Sequence, residues 1–532
     1  MPKSYHILYF PFIVKSNLGN VHFSKIINSQ SKFSTWKRIV QDEISDINDE
    51  KMYYHNFVHN ALYDSGGDMY DYTVSQSKNS IGLCNSVFHY ERTDISSDTK
   101  FVIYSKGEVL YKLDIDKIVL DCYFTNVGIL SIYLNNNNYI SPHDILNIND
   151  YSRDLYNLIY DNISCDIEGL SSRKPYPSCN ESNKEQRLLN KHIKLLLDDF
   201  FLELKFSKSD IEYFHIFDNK MFVNCCYLNT SLANRVERSN IDALSNNRFW
   251  QNFVEVDKGD DFGCQSEEMR KSLTQKNTYL RWMDYGTLYG ITDRSFVCLT
   301  KENDSFSEYL LKHMQTIYSQ MVKLVLLQRA SLLSFSNELS NYNLHIGHSD
   351  TAEVISRMYC NYMIYVSKLY FKDVTSQVQG VELYEMFHKT FYIKFYIESF
   401  ENQLSKTNLY FTSLEESKKK DSQNNFFNIL AGLFLPATLI TSILGMNNIF
   451  TDDDADRTFK WGEKVVTLYK EQYILHDLAI VIVMSIFFWL VMLIFNSTIK
   501  NIVVENKNTS FAIFLFAIIG LFICVFLSVG IL

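Results

Sequence analysis

The sequence predicts three consecutive parts: an α+β N-terminal domain, a long helical stalk and a C-terminal α-helical transmembrane region. Strand-like segments are confined to the first 300 residues, helical spacing of apolar residues dominates after them, and three long apolar runs occupy the last 110 residues. A chain of 532 residues is also too long for one compact domain. We therefore predict a cytosolic α+β domain at residues 1–300, a helical hairpin and stalk helix at 301–424, and a transmembrane domain at 425–532.

The N-terminal domain is predicted from β-branched and aromatic runs that are separated by turn residues. Ser141-Pro142-His143-Asp144 supplies an N-cap, a proline at the first helical position and an acid in the first turn, so a helix is expected to start there. Residues 165–190 contain two prolines and several Ser and Asn residues, which predicts an exposed loop. The strand candidates are Tyr5–Val14, Lys100–Tyr104, Val109–Ile115, Ile118–Tyr133, Tyr213–Leu228 and Tyr279–Thr300.

The stalk is predicted from helical periodicity. Two helices, Phe306–Leu339 and Ala352–Phe371, are expected to form a hairpin. No Pro or Gly lies between Val381 and Gly432. A third helix is therefore predicted to run unbroken from Val381 to Asn447, about 100 Å at 1.5 Å per residue. Apolar residues recur along this helix at heptad spacing and form a seam. The seam is consistent with packing on the hairpin, with self-association around an axis, or with both. The seam residues are Leu383, Met386, Thr390, Ile393, Ile397, Phe400, Leu404, Thr407, Phe411 and Leu414.

The transmembrane region is predicted from apolar runs long enough to cross about 30 Å of hydrocarbon. The expected spans are 426–446, 474–496 and 510–532. The N-terminus has no signal-peptide pattern, and the basic segment Lys418–Lys420 precedes the first span, so the large N-terminal domain is expected in the cytosol.

Composition and motifs argue against several other functions. The net charge of −10 argues against direct nucleic-acid binding. The ten cysteines form no CxxC pair and are expected to be reduced thiols. No Walker loop, GxSxG or HExxH motif is present, so we expect no enzyme. His55 and His59 have i, i+4 spacing, but such a lone pair is more often structural than metal-binding.

The segment from Leu435 to Asn447, Leu-Pro-Ala-Thr-Leu-Ile-Thr-Ser-Ile-Leu-Gly-Met-Asn, resembles the CorA family of divalent-cation channels. The resemblance implies a homo-oligomeric pore in which Asn447 forms a ring that contacts the hydration shell of Mg²⁺ or another cation. The other interpretation is that Gly-Met-Asn only caps the helix. The chain departs from the family at Leu444 and Asn448, in its long external loop and in its third span. The predicted pore residues are Asn424, Phe427, Ala431, Leu435, Thr438, Gly445, Met446 and Asn447.

Four segments resemble the CorA-like effectors associated with type III CRISPR systems: Asn126–Ser131, Asp144–Arg153, Asp218–Val223 and Asp284–Gly290. That resemblance implies that the N-terminal domain senses SAM-AMP, a messenger formed by joining AMP to S-adenosylmethionine. The alternatives are an ion-paired helix residue for the arginine, a turn for the aspartate and core packing for the tyrosines. The predicted ligand-binding residues are Arg153 for phosphate, Asp218 and Lys220 for polar groups, Tyr285 and Tyr289 for base stacking, and Gly286 for close backbone approach.

These observations together predict a CorA-like channel in the bacterial inner membrane that acts as an antiviral effector and opens when SAM-AMP binds. Its expected partners are other copies of itself, membrane lipid and the nucleotide. A divalent-cation transporter and a membrane-anchored scaffold are the alternatives.

Overall fold

A large mixed β-sheet dominates the computed structural model of this chain. The twelve strands of the sheet include an unbroken path of nine, β10-β11-β12-β9-β1-β6-β5-β3-β2, while β4, β7 and β8 pair beside it. The structure describes residues 2–16, 34–40, 52–67, 85–155, 163–170, 191–206, 211–217, 219–258, 263–302, 305–343, 351–445, 457–461 and 464–468. The sheet strands are β1 Ser4–Ser16, β2 Trp36–Arg38, β3 Val87–Arg92, β4 Lys100–Ser105, β5 Glu108–Tyr123, β6 Val127–Asn136, β7 Ile163–Glu168, β8 Ile211–His215, β9 Phe222–Leu228, β10 Thr278–Tyr279, β11 Leu288–Ile291 and β12 Ser295–Thr300.

The helices pack on this sheet or follow it in the sequence. The sheet is antiparallel except where β12 runs parallel to β9. The helices are α1 Asn56–Leu62, α2 Pro142–Ser152, α3 Lys191–Glu203, α4 Thr230–Glu237, α5 Ile241–Ser245, α6 Arg248–Glu255, α7 Glu267–Asn277, α8 Ser305–Gln315, α9 Ile317–Asn343, α10 Thr351–Lys368, α11 Val378–Thr390 and α12 Ile393–Gly445.

Strand β1 lies at the centre of the sheet and is covered on both faces. Successive side chains of a strand point to opposite faces. On one face the Tyr9 hydroxyl donates to Ser319 of α9 at 2.9 Å, and on the other His6 contacts Asn149 of α2 at 2.7 Å. A central strand enclosed in this way needs a nearly continuous apolar run, which is what the sequence of β1 supplies.

Several local predictions are confirmed. The strand predicted at Tyr5–Val14 is β1, and the helix predicted at Ser141-Pro142 is α2, whose N-cap Ser141 accepts from the His143 N–H. The loop predicted at 165–190 is wrong at its start, because β7 extends to Glu168 and pairs with β4. Apolar and polar residues alternate along β7 in the sequence Ile-Ser-Cys-Asp-Ile-Glu, and this is the strand signal that the prolines at 175 and 177 obscured.

The stalk helix is not continuous. It divides into α11 and α12, and Tyr392 between them adopts the left-handed conformation with φ of 53°. A tyrosine at positive φ gives no warning in the sequence, because glycine is the residue expected there. The helix predicted over 306–339 is likewise two helices, α8 and α9.

The heptad seam packs within the chain over its first half. Leu383, Ile393, Ile397, Phe400 and Leu404 are all buried. The Phe400 ring lies 4.9 Å from the Tyr362 ring of α10 and 5.9 Å from the Phe335 ring of α9. Packing against the hairpin is therefore confirmed for this part of the seam, and self-association stays a prediction.

The chain divides into two compact units, residues 1–408 and 409–532. The first contains the sheet and the helices packed on it. In the second, the structure describes the remainder of α12 and a hairpin of two strands, β13 Arg457–Trp461 and β14 Lys464–Leu468.

The predicted transmembrane region is contradicted. Across the described parts of the chain, no helix has both the length and the apolar composition needed to span a membrane. The CorA-like membrane architecture, the ion channel and the multi-pass inner-membrane localisation are therefore wrong. The first predicted span falls on the end of α12, a 53-residue helix that also carries the charged segment Lys418–Lys420. The spans predicted at 474–496 and 510–532 lie outside the described residues.

Candidate ligand-binding site

Arg153 and Lys220, two of the predicted ligand residues, lie in one ion cluster. Arg153 follows α2, and its carbonyl accepts from the Met221 N–H at 2.6 Å. Lys220 Nζ lies 3.3 Å from an oxygen of Asp150 and 3.1 Å from one of Asp154, and Arg153 Nε lies 3.6 Å from Asp150. Burial raises the pKa of Asp154, against the opposing charge of Lys220.

This ion cluster resembles a structural joint more than an open site. Arg153 is only 5% exposed, so little of its side chain is accessible to a ligand. The cluster ties the end of α2 to the beginning of β9, where Asp154 and Lys220 also form a backbone bridge. The geometry therefore favours the interpretation of Arg153 as an ion-paired helix residue.

The remaining predicted ligand residues occupy other surroundings. Tyr285 is 65% exposed, and Gly286 has φ of 72° at the turn that leads into β11. A Cβ on Gly286 would meet the Ala233 carbonyl oxygen at 2.8 Å, so this glycine is required by the turn itself. Tyr289 is fully buried and packs on Phe296 and Tyr318, as a core residue does. Asp218 lies outside the described residues.

The role of the predicted pore residues depended on a membrane-spanning helix, and no such helix is found among the described residues. Asn424 and Phe427 are exposed on α12. Ala431, Leu435, Thr438 and Gly445 belong to the same helix, of which the structure describes only the backbone there. Met446 and Asn447, including the proposed metal contact of Asn447, lie outside the described residues.

A cavity of about 300 Å³ lies between α6, the loop that follows it, and α7. This α6–α7 cavity lies within the first compact unit. A volume of that size is at the lower end of the range for small-molecule sites. Its lining is rich in polar side chains and consists of Arg248, Trp250, Gln251, Asn252, Val254, Glu255, Asp257, Gly263, Cys264, Gln265, Arg270, Leu273, Thr274, Asn277, Thr278 and Arg294.

Local sequence signals build the two helices that form the walls. Asn247 caps α6 by accepting from the Trp250 N–H at 3.3 Å, and Ser266 caps α7 by accepting from the Met269 N–H at 3.3 Å. Val256 is the C-cap that follows α6, and its left-handed φ of 53° turns the chain. The Trp250 indole donates to the Thr278 hydroxyl at 3.0 Å, which fixes α6 against β10.

Three arginines contribute positive charge to the cavity. Arg270 Nη1 donates to the carbonyl oxygens of Cys264 and Gln265, at 3.2 and 2.7 Å, and so stiffens the loop before α7. The Arg294 side chain is 51% exposed and lies 4.0 Å from Asp293. Arg248 is the first residue of α6. Guanidinium groups at such a concave surface are suited to phosphate or carboxylate.

Two carboxylates lie among these arginines. Glu255, the last residue of α6, accepts from the Asn277 amide at 3.2 Å. Burial raises the pKa of Glu255, and the charge of Arg294 opposes that rise. Asp257 lies two residues further along the lining. The α6–α7 cavity therefore presents both signs of charge to whatever occupies it.

The α6–α7 cavity is also joined to the ion cluster. Lys258, directly after Asp257, lies 3.7 Å from Asp150 and 4.1 Å from the centre of the Tyr151 ring. The segment that leaves the cavity is thus held against the end of α2.

The sequence contained a weak signal for this site. Arg248, Gln251, Asn252 and Glu255 recur at i, i+3, i+4 and i+7, so they form one polar face of α6, while Phe253 and Val254 are buried. Such a face is usually only solvated. What distinguishes it is the position of α7 opposite, which the sequence does not reveal.

In the described part of the chain, no group of three or more His, Cys, Asp or Glu residues is arranged to hold a metal ion. No protein-family model, curated protein or solved structure matches this chain.

Proposed function

We propose that this protein is a nucleotide sensor that binds its ligand in the α6–α7 cavity. The observation that carries the proposal is the grouping of Arg248, Arg270 and Arg294 with Glu255 and Asp257 around about 300 Å³ of space. A nucleotide offers a phosphate to the arginines and ribose hydroxyls to the carboxylates and amides. Its base adds the apolar surface that such sites enclose.

SAM-AMP is the specific ligand that we propose, as the resemblance to CRISPR-associated effectors implies. It carries a phosphate, ribose hydroxyls, adenine rings and a positively charged sulfonium. The α6–α7 cavity would enclose one nucleotide part of this messenger and leave the other towards solvent. The role in antiviral defence follows from the same resemblance and is part of the proposal.

Calorimetry on the full chain tests ligand identity and site together. SAM-AMP is expected to bind more tightly than AMP, ATP or S-adenosylmethionine. Arg294→Met should weaken binding by about 1.5–3 kcal/mol, the range for a hydrogen bond to a charged group. Arg281→Met is the matched control, because Arg281 is an exposed arginine that pairs with Glu382 and does not line the cavity.

Arg153→Ala separates the two candidate sites. We expect it to leave affinity within a few-fold, because Arg153 belongs to the ion cluster and does not line the cavity. Strong loss of binding in Arg153→Ala with none in Arg294→Met would move the site to the ion cluster. Absence of binding by all four nucleotides would contradict the proposed function.

A thiol-protection experiment gives the location independently. Cys264 lines the cavity and is partly exposed, whereas Cys360 is exposed on α10. Saturating SAM-AMP should slow alkylation of Cys264 and leave that of Cys360 unchanged, as read by peptide mass spectrometry. Equal protection of both thiols, or of neither, would place the ligand elsewhere.

A further inference from the structure

We propose that Glu255 makes the α6–α7 cavity selective for ligands that carry a sulfonium cation beside their phosphate. This inference rests on the proposed function and deepens it, since it assigns a specificity role to one lining residue. A site with arginines alone would accept any small phosphate. The half-buried carboxylate of Glu255 adds a preference for positive charge in the ligand.

The first support is the position of Glu255. It is the C-terminal residue of α6, where the helix dipole places partial negative charge. Asp257 adds a second carboxylate to the same part of the lining. Asn277, itself 8% exposed, donates to one oxygen of Glu255 and fixes the direction of the carboxylate.

The second support is the charge balance when a ligand arrives. Arg294 is the nearby positive group that favours the ionised form of Glu255, while Asp293 and Asp257 disfavour it. A phosphate that binds Arg294 would neutralise the positive charge that favours the ionised form of Glu255. The half-buried carboxylate would then lose its nearby positive charge, an unfavourable state unless a cation of the ligand replaces the arginine. A ligand with both charges satisfies Arg294 and Glu255 at once.

A matched pair of ligands tests this directly. The sulfonium of SAM-AMP carries a positive charge, and the thioether analogue made with S-adenosylhomocysteine lacks the methyl group and that charge. Both ligands keep the ammonium of the amino-acid part, so the comparison isolates the sulfonium. Wild-type protein should bind SAM-AMP at least tenfold more tightly than the thioether. Glu255→Gln should reduce this preference to less than threefold and leave affinity for the thioether within a few-fold of wild type.

The outcomes separate the inference from the proposed function. If both ligands bind and Arg294→Met weakens both, the sensor function stands. A preference retained in Glu255→Gln, or no preference in wild type, then overturns the inference alone. Loss of the preference in Asp257→Asn but not in Glu255→Gln would also overturn it, in favour of Asp257. If neither ligand binds the wild type, both proposals fail.

Folding of the variant is checked within the same experiment. Glutamine has the shape of glutamate and keeps an oxygen that can accept from Asn277. Thermal unfolding of Glu255→Gln should therefore stay cooperative, with a midpoint no lower than that of wild type. Should it not fold, the ratio of the two affinities in wild type still decides, because an equal affinity for the two ligands contradicts the selectivity.

Discussion

Two groups of charged side chains in this molecule differ in what their charges face. In the core, Asp121 of β5 lies 2.7 Å from Lys323 of α9 and 2.6 Å from His89 of β3, and both Asp121 and Lys323 are almost fully buried. In the α6–α7 cavity, by contrast, arginines and carboxylates surround a space of about 300 Å³. The core charges are in direct contact with one another, whereas the cavity charges line an open volume.

This difference separates a cluster that stabilises the fold from the cluster that we propose binds a ligand. Buried charges are retained in a stable fold when each has its partner, and removing one partner is expensive. Charges that line an open volume contribute little to folding and are often slightly unfavourable, because function and stability are optimised separately. Removing a charged side chain should therefore change the free energy of unfolding in opposite directions in the two clusters.

The largest effect is expected from Lys323→Met. The change leaves Asp121 buried with one partner fewer, which should lower the free energy of unfolding by about 3–5 kcal/mol. Urea denaturation measures the loss. Lys389→Met is the matched control, since Lys389 is 79% exposed in a 3.8 Å surface pair and should change stability by less than about 1 kcal/mol. Similar losses in the two variants would show that the Asp121–Lys323 pair has no structural role.

The next largest effect is expected from acid, which should lower the stability of the core. Burial lowers the pKa of His6, His192 and His388 to about 4, from 6.5. The folded state resists protonation of these rings, so stability present above pH 6.5 is lost as the pH falls towards 4. Urea denaturation from pH 7 to pH 4.5 should show this loss, and His388→Gln should reduce its slope. A flat profile in wild type would contradict the burial of these histidines.

Asp121 adds a further loss at lower pH. Burial by itself would raise its pKa, but Lys323 and His89 hold it at about 2. Its contribution is therefore present above its usual value of 3.8 and is lost as the pH falls towards 2. Core groups thus make the protein less stable in acid over two successive ranges.

The cavity should respond to acid with the opposite sign. Burial raises the pKa of Glu255, so its ionised form costs stability above that pKa, and protonation removes the cost. Glu255→Gln should accordingly stabilise the protein at pH 7. The gain should shrink as the pH is lowered, because wild-type Glu255 then becomes neutral as well. Destabilisation at pH 7 would mean that the carboxylate is structurally required.

The contrast between the clusters also shows which parts of the structure were accessible from sequence. Strand β1 and the cap of α2 follow from local patterns, and both were predicted correctly. The break at Tyr392 was missed because the strain there is carried by a residue with no turn signature. The membrane prediction is contradicted within the described residues, where the first apolar run is the end of α12, a helix that also carries Lys418–Lys420.

The α6–α7 cavity was not predictable for a different reason. Its arginines come from α6, from α7 and from the turn before β12, at positions 248, 270 and 294. Only the tertiary arrangement brings them together, and each alone resembles an ordinary surface residue. The resemblance to known effectors implied Arg153 instead, which the fold encloses in an ion cluster.

The smallest effect on stability is expected from Arg294→Met. Its side chain is half exposed and its ion pair with Asp293 is long, so the free energy of unfolding should change by less than about 0.5 kcal/mol. The variant nevertheless acts on Glu255, since it removes the charge that favours the carboxylate. In the Arg294→Met background, Glu255→Gln should therefore stabilise the protein more than it does in wild type. A double-mutant cycle, measured by urea denaturation at pH 7, quantifies this difference. Strict additivity would show that the two residues do not interact, and would remove the electrostatic link on which the selectivity of the cavity depends.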